Sequence, residues 1–287
     1  MSSRQIDELK TYRIDKENPV VIVSSTQDLA SQNIAENLVA KHGFSQSTPG
    51  GGFAHRDHSI RLVTVEKPCI YIEPTDLLGN FSSIIFASKH VSAANRPAMT
   101  VHATGNLTKN AEFGGRPEEL SFVDPARIQR ALRRLRDGVV EVGLEIDVTM
   151  EATHHGPTSF PIPVCFVEIG SGPREWVNPA LGGLAADAIM EAATGASESQ
   201  KPAIGFGGTH YSTKFNRICL EGEYQIGHIV PRHAFESGIS DAIIKDTIRK
   251  TRGNRPVALV DWKGLTGSDR RRLVANLESW EYEVVRC

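Results

Sequence analysis

The chain has 287 residues, enough for a sizeable core in one large or two modest domains. Hydrophobic residues make up 40% and charged residues 23%, and a net charge of −2 with pI near 6.6 excludes a molecule that is basic overall and grips nucleic acid with its whole surface. Residues 1–16 are polar with mixed charge, and no apolar run approaches the roughly 18 residues needed to span a bilayer. No signal peptide or membrane span is therefore expected, and a soluble, cytoplasmic protein is.

Residues 19–24 read as a buried strand, and 28–41 as a helix with Leu29, Ile34, Leu38 and Val39 at helical spacing and Gly43 as its stop. Consecutive glycines make 48–52 a loop. Short strands are expected at 59–65, 69–72, 83–87 and 100–103. Asp124 and Pro125 are a cap and a first-turn residue, so a helix should run from there to Arg136 and stop at Gly138. Residues 144–153 alternate in strand fashion. Residues 164–169 are apolar except for Glu168, as in a strand buried on both faces. Then come a helix at 179–193, a strand at 203–206, a hairpin-like stretch at 218–225, a helix at 240–250, a strand at 257–260, a helix at 268–279 and a strand at 283–285. Strands alternating with helices predict an α/β fold with a largely parallel mixed sheet flanked by helices. One compact unit is expected; any subdivision would fall near 138–143, giving parts 1–140 and 141–287.

The four cysteines, Cys69, Cys165, Cys219 and Cys287, show no CxxC spacing and read as reduced thiols of a cytosolic protein. Arginines cluster at 126–136, 249–255 and 270–272. Each cluster reads first as a solvated helix face, and several together could contact a phosphate backbone locally.

The histidines are more telling. His90, His102, His154, His155, His210 and His228 all lie where strand-like runs end, and open α/β sheets place their chemistry there. In Glu151-Ala-Thr-His-His-Gly-Pro157, strand alternation would put Glu151, Thr153 and His155 on one face and His154 on the other. Both histidines could then serve one centre only if the Gly156-Pro157 turn rotates the second. Glu168 lies in so apolar a strand that it needs a metal, a histidine or an arginine as partner. Imidazoles with carboxylates are the ligand set of catalytic zinc, although HExxH is absent. GxSxG, Walker A and GxGxxG are absent too, which argues against a serine hydrolase of that type and against a nucleotide loop.

Taken in order, Ser88-Lys-His90, Val101-His-Ala-Thr-Gly-Asn106, Phe113-Gly-Gly115, Glu151-Ala-Thr-His-His-Gly-Pro157, Val167-Glu-Ile-Gly-Ser171, Gly207-Gly-Thr-His-Tyr211 and Gly227-His-Ile229 resemble the archaeal-type D-aminoacyl-tRNA deacylases, a family also found in plants. The resemblance spans residues 88–229. It implies hydrolysis of the ester between a D-amino acid and the terminal ribose of tRNA, which is chiral proofreading of translation. It also implies zinc (two ions per chain), a monomer, and a phosphorylase/hydrolase-like part joined to a peptidyl-tRNA-hydrolase-like part. On this basis His155, Glu151, His102 and His210 are expected to be catalytic, and His154, His155, Glu168 and His102 to hold metal. Asn106, Ser171, Gly207 and Gly208 are expected to contact substrate, the two glycine amides with His210 holding the carbonyl oxygen or the terminal adenosine. The rival readings are a metal-dependent small-molecule ester hydrolase or nucleoside-phosphorylase-like enzyme, which would not need tRNA, and a non-enzymatic tRNA-binding protein, which would not turn over.

Overall fold

A computed structural model describes residues 18–47, 52–56, 59–195 and 200–287. Most of the expected 48–52 loop, His58 and the polar opening stretch lie outside the described residues. In chain order the elements are β1 (Val20–Ser25), α1 (Leu29–Lys41), β2 (Phe44–Gln46), β3 (Phe53–His55), β4 (Ile60–Val65), β5 (Ser83–Lys89), β6 (Ala98–His102), β7 (Gly105–Asn106), β8 (Glu119–Leu120), α2 (Pro125–Glu141), β9 (Asp147–Met150) and β10 (Val164–Gly170). There follow α3 (Pro173–Trp176), α4 (Pro179–Thr194), β11 (Lys201–Phe206), α5 (Thr213–Glu221), β12 (Tyr224–Val230), α6 (Arg232–Glu236), α7 (Asp241–Arg249), β13 (Val257–Val260), α8 (Gly267–Ser279) and β14 (Val284–Arg286).

Eight strands form one sheet in the order β2-β3-β4-β1-β5-β10-β6-β9. Its centre, β4-β1-β5-β10, is parallel; β6 runs against β10, and β9 follows β6. A second, wholly parallel sheet has the order β12-β11-β13-β14. The α/β fold with a largely parallel mixed sheet is therefore the observed one. The last strand of the large sheet ends at Gly170 and the first of the second sheet begins at Lys201.

Alternation along β10 explains its apolar character. Cys165, Val167 and Ile169 join the core cluster that also holds residues of α1, α2 and α4, while Phe166 joins a separate apolar cluster with Phe86, Val21 and Val23. Glu168 is two residues from Phe166 and so shares its face. Register carries that face across neighbouring strands: Glu168 pairs with Ser88 and with Thr100, and Phe166 pairs with His102. One sheet face thus holds Thr100, His102 and Glu168 together.

Three local expectations fail for identifiable reasons. Residues 69–72 form a 3-10 turn, Cys69–Tyr71, in which the Tyr71 amide donates to the Pro68 carbonyl. Gly138 does not end α2. A Cβ there would come within 2.6 Å of Leu184 Cδ2, so this glycine admits α4 at close range inside a continuing helix. The stretch 218–225 is no hairpin but the end of α5 and the start of β12, with Phe215, Ile218 and Cys219 buried at helical spacing. Helix α5 stops at Gly222, whose φ of 84° is left-handed and therefore suits a residue without Cβ. All four cysteines are free thiols, and no helix among the described residues is long and apolar enough to cross a membrane.

Candidate active site

Five of the six strand-end histidines meet. His90 follows β5, His102 ends β6, His154 and His155 lie beyond β9, and His210 lies beyond β11 of the second sheet. Backbone bonds bring the two sheets together here: the Ala152 amide donates to the His210 carbonyl, the Thr153 amide donates to the Ile229 carbonyl, and Glu151 bridges to Tyr211. Ring centroids lie 4.3 Å apart for His102 and His154, 4.3 Å for His154 and His155, 4.9 Å for His102 and His155, and 4.7 Å for His154 and His210.

The strict face alternation expected for 151–155 does not hold, because β9 ends at Met150. His155 has φ of 43°, and this left-handed residue, rather than the following turn alone, swings its ring to the side that His154 occupies. Both histidines therefore serve one centre.

Three imidazoles share one hydrogen-bonding pattern. Nδ1 of His102 donates to the Ala103 carbonyl at 3.1 Å, Nδ1 of His154 to the Ala152 carbonyl at 2.8 Å, and Nδ1 of His155 to the Gly156 carbonyl at 2.6 Å. A carbonyl only accepts, so each Nδ1 carries a proton, which leaves Nε2 as the atom of each ring able to bind a metal. Nε2 of His102 is buried without a hydrogen-bond partner. Such an orphan is costly unless something else binds it. One ring nitrogen fixed by the backbone and the other bare is the arrangement of metal-ligating histidines. Candidate ligand atoms of His102, His154 and His155 all lie within 4.8 Å of one another; the same holds for Glu151, His154 and His210, and for His90, Glu151 and Glu168. The donor set fits zinc, with carboxylates at hand for a second ion.

The carboxylates are buried and held. Glu151 Oε2 accepts from His210 Nε2 at 2.8 Å, while its Oε1 lies 3.1 Å from His90 Nδ1 but out of hydrogen-bonding alignment. Glu168 Oε2 accepts from the Thr100 hydroxyl at 3.3 Å and lies 3.6 Å from His90 Nδ1 and 3.7 Å from His102 Nε2. Burial pushes the Glu151 carboxyl up, but His210 and His90 beside it outweigh that and hold it well below the usual range. Glu168 is likewise held low against burial by His102 and His90. Burial opposes charge on His90, yet the two carboxylates raise it to about 11. Burial and the neighbouring imidazoles, led by His155 for His154 and by His102 for His155, hold both rings low, His155 at about 4. His154 and His155 are thus kept neutral, as a metal requires, whereas at His102 burial opposes charge but Glu168 beside it raises the pKa.

His90 is the residue that sequence reasoning left without a role. Its Nε2 meets the Tyr211 hydroxyl at 2.9 Å, and Tyr211 is 37% exposed at the mouth of the cluster. The signal was present in Ser88-Lys-His90, but nothing along the chain shows that His90 lies between two carboxylates.

Hydrogen bonds within the protein engage several polar groups of the four residues expected to contact substrate. Asn106 Nδ2 donates to the Gly114 and Arg116 carbonyls, and Ser171 donates to the Arg96 carbonyl. The Gly207 amide donates to the Val230 carbonyl and the Gly208 amide to the Gly264 carbonyl, so neither is free to hold an oxyanion. His228 is structural: fully buried, it donates through Nε2 to the Ser121 carbonyl and accepts the Thr153 hydroxyl on Nδ1.

The first arginine cluster is mostly committed to the fold. Arg127 and Arg130 donate to carbonyls at the end of α4, and Arg134 pairs with Asp187 and Glu141.

Comparison with known proteins places this geometry in context. A family profile described as D-aminoacyl-tRNA deacylase matches residues 78–285. A protein named D-aminoacyl-tRNA deacylase from Methanosarcina acetivorans is 33% identical over 93% of this chain and 92% of its own length. The protein of that name from Methanocaldococcus jannaschii is also 33% identical, over 91% of this chain and 98% of its own. That from Aeropyrum pernix reaches 42% over 66% of this chain and 70% of its own. A crystal structure of a conserved protein of unknown function superposes with a TM-score of 0.85 at 27% identity, covering 94% of this chain and 96% of the other.

Proposed function

Since the chain belongs to the D-aminoacyl-tRNA deacylase family, we propose that the histidine–carboxylate cluster is where it hydrolyses the ester of D-aminoacyl-tRNA. The reaction needs a nucleophilic water, a group to take its proton and a proton for the departing ribose oxygen. Glu151 accepts from Nε2 of His210, which leaves Nδ1 of this partly exposed imidazole as a base at the mouth of the cluster. The Glu151–His210 pair takes the water's proton and returns it to the ribose oxygen as the ester C–O bond breaks. His90 keeps Glu151 and Glu168 from repelling one another and anchors Tyr211 beside the reacting groups.

Zinc, the metal implied by the resemblance, would be held by His102, His154 and His155 with Glu168 beside them, and would supply Lewis acidity able to bring the pKa of a water to about 7. Zinc as the metal, action as a monomer and a cytoplasmic location belong to the same proposal, the last because aminoacyl-tRNA is used where translation occurs. The observation that carries this reading is the convergence of three backbone-fixed imidazoles and a carboxylate–imidazole pair on one partly open cleft.

Single-turnover deacylation of D-Tyr-tRNA tests it. His155→Ala and Glu168→Ala should each lose at least about a hundredfold in rate, and a chelator should have a similar effect on the unaltered protein. Full rates in both variants would remove the cluster from the chemistry.

A further inference from the structure

One arginine of α2 stands apart from Arg127, Arg130 and Arg134. Arg136, near the end of the helix, is 43% exposed, and among the described residues it pairs with its neighbour in sequence, Asp137. It lines a groove whose other wall is α5, formed there by Thr213, Asn216, Arg217, Leu220 and Glu221. The first four follow i, i+3, i+4, i+7 spacing and so form one stripe along the helix, roughly 10 Å long at 1.5 Å per residue.

The groove's α5 wall begins next to the active-site loop. Thr213 lies two residues after Tyr211, and its amide donates to the Tyr211 carbonyl. Asn216 fixes α5 against β9: its Oδ1 accepts from the Met150 amide and its Nδ2 donates to the Val148 carbonyl. Since β9 leads directly into Glu151, α5 is tied to the site at two points.

We propose that this groove carries the phosphodiester backbone of the tRNA strand leaving the active site, with Arg136 and Arg217 as its phosphate contacts. The proposal rests on the deacylase reading above. Arg217 is 68% exposed and lies 3.9 Å from Glu221, so both arginines have only surface partners. Such pairs are weak and exchange readily, whereas a guanidinium binds two phosphate oxygens at once. A chain of net charge −2 has no general pull on RNA, so contacts of this kind must be local.

The test is an Arg136→Ala, Arg217→Ala double variant assayed with D-Tyr-tRNA and, separately, titrated with uncharged tRNA. KM and the dissociation constant should each rise about tenfold with kcat within about twofold, and the slope of log affinity against log salt should shrink by about 1.4 for two single-strand contacts. Arg249→Ala, an exposed arginine on α7 paired with Asp246, is the control and should leave both unchanged. Wild-type affinity and salt slope in the double variant, or equal weakening by Arg249→Ala, would overturn the groove. Loss of deacylation in the unaltered protein would instead overturn the function, while the binding titration would still report on the groove.

Discussion

His90 shows how one side chain can set the electrostatics of a whole cluster. It lies 3.1 Å from Glu151 and 3.6 Å from Glu168, and all three are buried. His90→Ala would leave two like charges facing each other without water, so stability should fall by about 3 kcal/mol, read as a drop in the urea midpoint. The same change in a Glu168→Gln background should cost much less, because one of the two charges is gone. His228 gives a second test at this scale. Burial lowers its pKa to about 3, against about 6.5 in the unfolded chain, so the native state holds it neutral. Its contribution to stability is complete above pH 6.5 and is lost as pH falls toward 3. Between pH 7 and pH 5 this single group should remove about 2 kcal/mol. His228→Gln should flatten that part of the pH–stability curve; an unchanged curve would show that His228 is not held neutral.

At the scale of elements, Gly138 separates helix propensity from packing. On an isolated helix Gly→Ala gains about 1 kcal/mol. Here the new methyl would meet the tip of Leu184, Cδ2, at 2.6 Å, so Leu184 must turn aside. Gly138→Ala should therefore gain less than the isolated-helix figure, and Leu184→Ala in the same chain should make the pair non-additive by denaturant melts. The glycine was legible as a helix stop only because its neighbour across the interface was not visible. Helix α5 departs from the expected hairpin because its apolar positions, Phe215, Ile218 and Cys219, are few. Where the pattern was long and unmixed, as in α1 with its Asp28 cap and in the buried runs of β1, β10 and β13, the expected elements are the observed ones.

For the whole molecule, the cluster is also a fastener. Glu151 and His154 come from the segment after the large sheet's edge strand, and His210 from the second sheet, so a metal held among them would tie two layers together. At a free concentration 100 times its dissociation constant, an ion bound only by the native state adds about 2.7 kcal/mol. Zinc should accordingly raise Tm and a chelator lower it in proportion; a Tm indifferent to both would empty the cluster of metal. The chain by itself determined that the fold is α/β, that its central strands are buried and that unusual histidines and acids gather at strand ends, because periodicity, glycine and charge are local properties. Only the tertiary structure decided that His90 joins the cluster, that the Gly207 and Gly208 amides bond within the protein, and that Arg127 and Arg130 of α2 cap a neighbouring helix. Those outcomes depend on which groups meet across 50 or 100 residues of chain, and hydrogen-bond partners at that separation are set by strand register and helix docking rather than by neighbours in sequence.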